Sequence, residues 1–316
     1  MKKLFFWISV IILCLLIIYH WPVTQSNFES IYIHVSPKER YSLRDFREKH
    51  PVAHIKVDGR KWEYISLGEG EQTFLFLHGM TGAYDIWWQI LEPLSKQFRV
   101  MSLTYPPVKS LESYGNGIVA VLDAEKVDKA IVVGTSLGGY LTQYLLTHHP
   151  DRLEGMVLSN TFPPNDMLIK KNRNLIRILP FLPNWLIMKG FRQNFSEIQY
   201  PASGYSEMVL AYLNEQASGR MNKPQVMRRA KAVVQFFDLP KSDVISIPVL
   251  IVESANDPLV DSHLREQLKT FYPHAQIYTF TDAGHFPYIN ESKTYLEVLL
   301  GFLEKGLGDG KQRIKQ

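Results

Sequence analysis

Short apolar runs alternate with segments of helical spacing along most of the chain. The runs 54–57, 61–67, 73–77, 98–103, 130–133 and 153–158 read as strands, the first two joined across the hairpin signal Asp58-Gly59. The segments 84–96, 111–125 and 137–148 place apolar residues three and four apart and read as helices. This alternation stops at Phe162. From there to about Asp243 the pattern is helical, interrupted at Pro163-Pro164, Pro180, Pro183, Pro201 and Pro224. It then resumes with strand 249–252, helix 261–271, strand 276–280 and helix 295–303. Strands in tandem with helices predict an α/β domain, a parallel sheet flanked by helices. The core is expected over 52–161 and 244–304. The insertion 162–243 is expected to be a helical cap over the C-terminal edge of the sheet, where ligands bind in open α/β sheets.

The N-terminus follows a different pattern. Lys2 and Lys3 precede 4–21, an uncharged run of 18 residues. As a helix it would span about 27 Å, close to a thin hydrocarbon core. It ends Ile18-Tyr19-His20-Trp21-Pro22, without the small residues of a cleavage site, and Tyr19 and Trp21 suit the membrane interface. Leu13 is too bulky for lipoprotein processing at Cys14. Residues 1–21 are therefore expected to be an N-terminal transmembrane anchor, with a cleaved signal peptide or a buried core helix as alternatives. The two lysines would stay inside, placing the catalytic body on the exported side, or secreted if the N-terminus is cleaved. Residues 22–51 are polar and charged and read as a tether with one short helix. Residues 305–316 read as a basic tail.

Composition narrows the classes. Apolar residues make up 46% and charged residues 21%, which excludes a disordered or fibrous chain. The net charge of +4 and the absence of a basic block before the tail argue against nucleic-acid binding. One cysteine excludes an internal disulfide framework and any multi-cysteine metal site.

The chemistry starts at Gly134-Thr135-Ser136-Leu137-Gly138, which sits between the strand 130–133 and the helix 137–148. A serine on that sharp turn projects its hydroxyl above the sheet. A serine is a weak nucleophile at neutral pH and needs a base and an orienting acid. Asp257 follows the strand 249–252 and His285 follows the strand ending at Phe280, so both leave the edge where Ser136 emerges. Ser136 is read as nucleophile, His285 as base and Asp257 as the acid that fixes the imidazole. Asp261 is the rival acid but suits the cap of the next helix better. Two backbone oxyanion donors are expected, the N–H of Leu137 and that of Met80 in His78-Gly79-Met80-Thr81-Gly82. His78 itself reads as a structural loop residue.

Together H-G-M-T-G at His78, G-T-S-L-G-G at Gly134, N-D-P at Asn256 and D-A-G-H-F at Asp282 resemble the α/β-hydrolase superfamily over about residues 52–304. The resemblance implies a mostly parallel eight-stranded sheet, a Ser-Asp-His triad and a helical cap. It implies no metal and no organic cofactor. A serine at the elbow disfavours the dehalogenase and epoxide-hydrolase branches, which use aspartate there. A narrower likeness, carried by Tyr105-Pro106, Leu158-Ser159-Asn160-Thr161-Phe162 and Phe286-Pro287-Tyr288, is to the maspardin family, whose role is described as binding. His285 and the N-terminal anchor depart from that pattern. The expectation is a membrane-anchored serine hydrolase of an ester or related acyl bond, acting on a small-molecule or lipid-like acyl substrate. A catalytically silent binding protein is the alternative, with a protein partner. A lyase or cofactor-free peroxidase on the same site is a third reading.

Overall fold

The computed structural model describes residues 2–23 and 26–306. The basic tail falls outside them from residue 307 on. The first helix, α1 (Lys2–Tyr19), has no buried residue, although it is apolar all round. Its mean hydropathy of 2.2 and its length are sufficient to cross a membrane, a property signal sequences share. A core helix it is not: Leu4 to Ile18 expose nearly all of their large apolar side chains.

The stretch 22–51 is a correction to the tether reading. It holds α2 (Phe28–Ile31) and α3 (Pro37–Lys49), and Tyr32, Val35, Leu43 and Phe46 are buried in the main core. The Ser36 hydroxyl accepts from the Glu39 N–H and Pro37 opens α3, a standard helix start. The pairs Tyr32/Val35 and Leu43/Phe46 are each three apart, so a narrow apolar stripe is hidden among charges.

Eight strands form one sheet in the order β1-β2-β4-β3-β5-β6-β7-β8. They are β1 (Ala53–Val57), β2 (Arg60–Leu67), β3 (Thr73–Leu77), β4 (Arg99–Thr104), β5 (Ala130–Thr135), β6 (Leu153–Ser159), β7 (Val249–Ser254) and β8 (Gln276–Phe280). β2 runs antiparallel to β1 and β4, and the other pairs are parallel. Alternate residues of β3 serve opposite faces: Phe74 and Phe76 join one core, Leu75 and Leu77 the other. Both faces are covered, which is why the inner strands read as unbroken apolar runs.

Between β3 and β4 the chain forms a 3-10 turn, Tyr84–Trp87, and α4 (Trp88–Leu94). α5 (Leu111–Ala124) and α6 (Leu137–His148) flank β5. Between β6 and β7 come α7 (Asp166–Ile178), α8 (Asn184–Asn194), α9 (Tyr200–Ala202), α10 (Glu207–Glu215) and α11 (Lys223–Ala232). α12 (Ser262–Phe271) joins β7 to β8, with the Asp261 carboxylate accepting from the His263 N–H as its cap. α13 (Pro287–Asn290) and α14 (Ser292–Gly306) end the described chain. The loops after β3, β5, β7 and β8 all leave the same edge of the sheet.

Candidate active site

Ser136 lies between β5 and α6 with φ 52° and ψ −118°. A non-glycine residue held there stores about 1–3 kcal/mol of strain, and the surroundings enforce it. The Ser136 N–H donates to Ser159 O at 3.1 Å, and its carbonyl accepts from the Thr161 hydroxyl at 2.6 Å. Gly138 permits the turn, since a Cβ there would collide with the Leu77 carbonyl.

Asp257 and His285 are brought together directly. His285 Nδ1 lies 3.0 and 2.9 Å from the two Asp257 carboxylate oxygens, and both side chains are buried. The carboxylate also accepts from the Asn160 amide at 2.8 Å and from the Leu259 and Val260 N–H groups at 2.8 and 3.2 Å. Burial by itself would raise the Asp257 pKa. The charge and hydrogen bond of His285, with the bonds from Asn160 and Leu259, outweigh burial and hold it below its ordinary value. An ionised Asp257 accepts a hydrogen bond from Nδ1–H, which keeps the proton on Nδ1 and leaves Nε2 as the unprotonated nitrogen of the imidazole.

Ser136 and His285 line one cavity of about 610 Å³ between the sheet edge and the helices of 162–243. Among the described residues no hydrogen bond joins the Ser136 hydroxyl to the imidazole. Catalytic contacts of this kind are commonly loose before substrate binds. Met80 also lines the cavity, and Leu137 is buried at the first position of α6, where N–H groups lack intrahelical acceptors. The rest of the wall is mostly apolar, with Leu179, Leu182, Ile187, Phe191 and Phe195 prominent. Among the described residues no group of three or more His, Cys, Asp or Glu side chains could hold a metal.

His78 is structural, as its loop position suggests. Its Nδ1 donates to the Gly79 carbonyl at 2.6 Å, its ring packs 4.0 Å from that of Tyr105, and burial lowers its pKa well below the ordinary value.

Four residues support the site in roles that the sequence alone does not assign. Arg229 of α11 is 1% exposed and donates to the Met80 and Gly82 carbonyls at 2.7 and 3.2 Å, so a buried cation pins the loop after β3. Asn160 links the Asp257 carboxylate to the Gly284 carbonyl, at 2.8 and 3.2 Å. Asn256 accepts from the Gly284 N–H at 2.9 Å and donates to Ala202 O at 2.8 Å, tying the His285 loop to α9. Asp85, wholly buried just past the loop that follows β3, accepts from Arg47, Arg220 and Tyr212 at 2.6, 2.7 and 2.6 Å. The spacing Val226–Arg229–Ala232 sets the arginine on the buried side of α11, but the neighbouring Arg228 and Lys231 hide that signal in the sequence.

Comparison with known proteins agrees with this fold. The family model of the alpha/beta hydrolase fold matches residues 110–292, more than half of the chain, so the chain belongs to that family. Maspardin of Danio rerio is 24% identical over 268 residues, covering 82% of this chain and 83% of maspardin. Among solved structures, Est816, described as an N-acyl homoserine lactone degrading enzyme, superposes with a TM-score of 0.65 at 23% identity, covering 79% of this chain and 100% of that one. The esterase of Exiguobacterium antarcticum does so at 0.64 and 18%, covering 80% and 99%. At those identities the structures speak for the fold.

Proposed function

We propose that this member of the alpha/beta hydrolase fold family is a membrane-anchored serine hydrolase that cleaves a carboxylic ester or related acyl bond through an acyl-enzyme. The observation that carries the reading is Ser136 on a strained turn, facing the same cavity as an imidazole whose other nitrogen is held by Asp257. The Ser136 oxygen adds to the ester carbonyl while His285 Nε2 takes its proton. The carbonyl oxygen becomes an oxyanion, held by the N–H groups of Met80 and Leu137. Collapse breaks the bond to the alcohol, which leaves with the proton from His285. Water then adds to the acyl-enzyme with the same base, releasing the acid and restoring Ser136. Asp257 stays ionised and orients the ring throughout. α1 anchors the chain, with Lys2 and Lys3 inside and the catalytic body on the exported side.

Fluorophosphonate labelling of the full chain in detergent tests this. The wild type labels at Ser136, and Ser136→Ala and His285→Ala do not. Turnover of a short activated ester falls about 10⁴-fold in Ser136→Ala. The likeness to maspardin favours one other reading, a binding protein on the same fold. Under it a folded wild type fails to label, and partner binding survives Ser136→Ala.

A further inference from the structure

The first helix of the insertion exposes what the later ones bury. α7 carries six apolar residues among its thirteen, and none of the thirteen is buried. Met167, Leu175 and Ile178 are exposed on it, Phe181 follows at 78% exposure, and Leu186 is exposed on α8. At about 100° per residue Met167, Leu175 and Ile178 fall within about 80° of arc on α7, with Lys171 among them and Lys170, Arg173 and Arg177 along one flank. Exposed apolar residues flanked by basic ones suit a helix that lies in a membrane interface, with its cations among anionic headgroups.

The anchor ends on this same corner. The Trp185 indole N–H donates to Ile18 O at 2.7 Å, and the Tyr19 hydroxyl donates to Pro180 O at 3.4 Å. Lys223 Nζ donates to the Tyr19 hydroxyl at 3.0 Å and to the Pro180 and Leu182 carbonyls at 2.8 and 2.6 Å. Tyr19 closes an 18-residue apolar helix, and an aromatic residue in that place sits at the level of the headgroups. The turn between α7 and α8 that touches it is held at the same level.

The cavity opens there too. Leu175 and Leu186 are exposed and also line the cavity that holds Ser136, so they form its rim beside the anchor contacts. We propose that the α7–α8 corner docks on the membrane and that the cavity is loaded through it with a lipid ester carrying a long acyl chain. The proposal rests on the hydrolase reading and names its substrate class. The chain slides from the bilayer between Leu175 and Leu186 into an apolar cavity without crossing water, and its carbonyl stops at Ser136.

The test uses the full chain in phosphatidylcholine–phosphatidylglycerol vesicles, with Ile178→Glu/Phe181→Glu as the variant. Neither residue lines the cavity and Phe181 is the most exposed of the corner, so folding is spared. Wild type and variant are expected to label equally with fluorophosphonate and to turn over 4-methylumbelliferyl acetate within about twofold. Hydrolysis of 4-methylumbelliferyl palmitate embedded in the vesicles is expected to fall about tenfold or more in the variant. Equal rates on the palmitate, or equal losses on both esters, overturn the loading route. A wild type that does not label defeats the hydrolase reading instead, and a second measurement still judges the docking. An environment-sensitive dye on Phe181→Cys in a Cys14→Ser background is expected to shift blue on vesicles and to be quenched by doxyl-labelled lipid. Solvent-like emission overturns docking. So does a blue shift that follows protein concentration rather than lipid, which assigns the corner to a second copy of the chain.

Discussion

The two halves of the helical insertion meet the core on different terms. In α10 five of nine residues are buried, Met208, Val209, Ala211, Tyr212 and Leu213, and the flanking charges are locked. Glu215 takes both terminal nitrogens of Arg47 at 2.9 and 2.7 Å, and Arg220 reaches Asp85 at 2.7 Å. Arg229 grips the loop after β3. α7 has no buried residue at all. The half that fixes the loop after β3 is held by buried ion pairs and hydrogen bonds. The half that rims the cavity is held by few contacts, and such segments open locally at low free energy. Precision and access are thus assigned to different stretches of one insertion.

Removing the core carboxylate that the locked half grips gives the largest effect. Burial would raise the Asp85 pKa, but Arg220, Arg47 and the Tyr212 hydroxyl overcome it and hold the group well below the carboxylate range. Asp85→Asn leaves two guanidinium groups short of a partner. It is expected to destabilise the chain by about 3 kcal/mol in denaturant unfolding followed by tryptophan fluorescence. The pH dependence has a definite sign. A depressed folded pKa contributes stability that is complete above the unfolded value of about 4 and is lost as pH falls toward the folded pKa. The gap between wild type and Asp85→Asn should therefore be constant from pH 6 down to about 4 and narrow below it. A constant gap down to about pH 2 would mean that Asp85 is not the charged centre of the cluster.

Arg229→Met comes next. Methionine keeps much of the side-chain length but leaves the Met80 and Gly82 carbonyls without their cation. If the Met80 N–H receives the oxyanion, kcat on a short ester falls about 10- to 100-fold with KM little changed. Arg228→Met, on the neighbouring position outside that contact, is the control. A drop in KM-dependent binding alone would assign Arg229 to the cavity wall rather than to the loop.

The sheet was legible because both its faces are covered, so that runs such as Thr73–Leu77 read as continuous apolar strands. Ser136, Asp257 and His285 were legible as candidates because each follows such a strand. Their supporting residues were not, because their roles exist only in three dimensions. Arg229 sits among Arg228 and Lys231 and looks like a solvated basic face. Asp85 meets Arg47 and Arg220 from 38 and 135 residues away in the chain. The stretch 22–51 misled for a related reason: four buried apolar side chains are enough to dock α2 and α3, and charge dominates their composition.

The smallest effect belongs to the loosely held half, and it sharpens the contrast most. Ile178→Ser removes an exposed apolar group that touches no buried core, so global stability should stay within about 0.5 kcal/mol of wild type. Hydrogen exchange on the full chain in detergent supplies the matching local measurement. Amides of α7 should exchange well ahead of those of α10, because α7 has no buried side chain to hold it shut while α10 opens only with the Asp85 cluster. Ile178→Ser should leave α10 unchanged. Equal protection of the two helices would erase the distinction, since α7 would then be anchored as firmly as the half that positions the loop after β3. Access to Ser136 would then need an opening of the whole insertion.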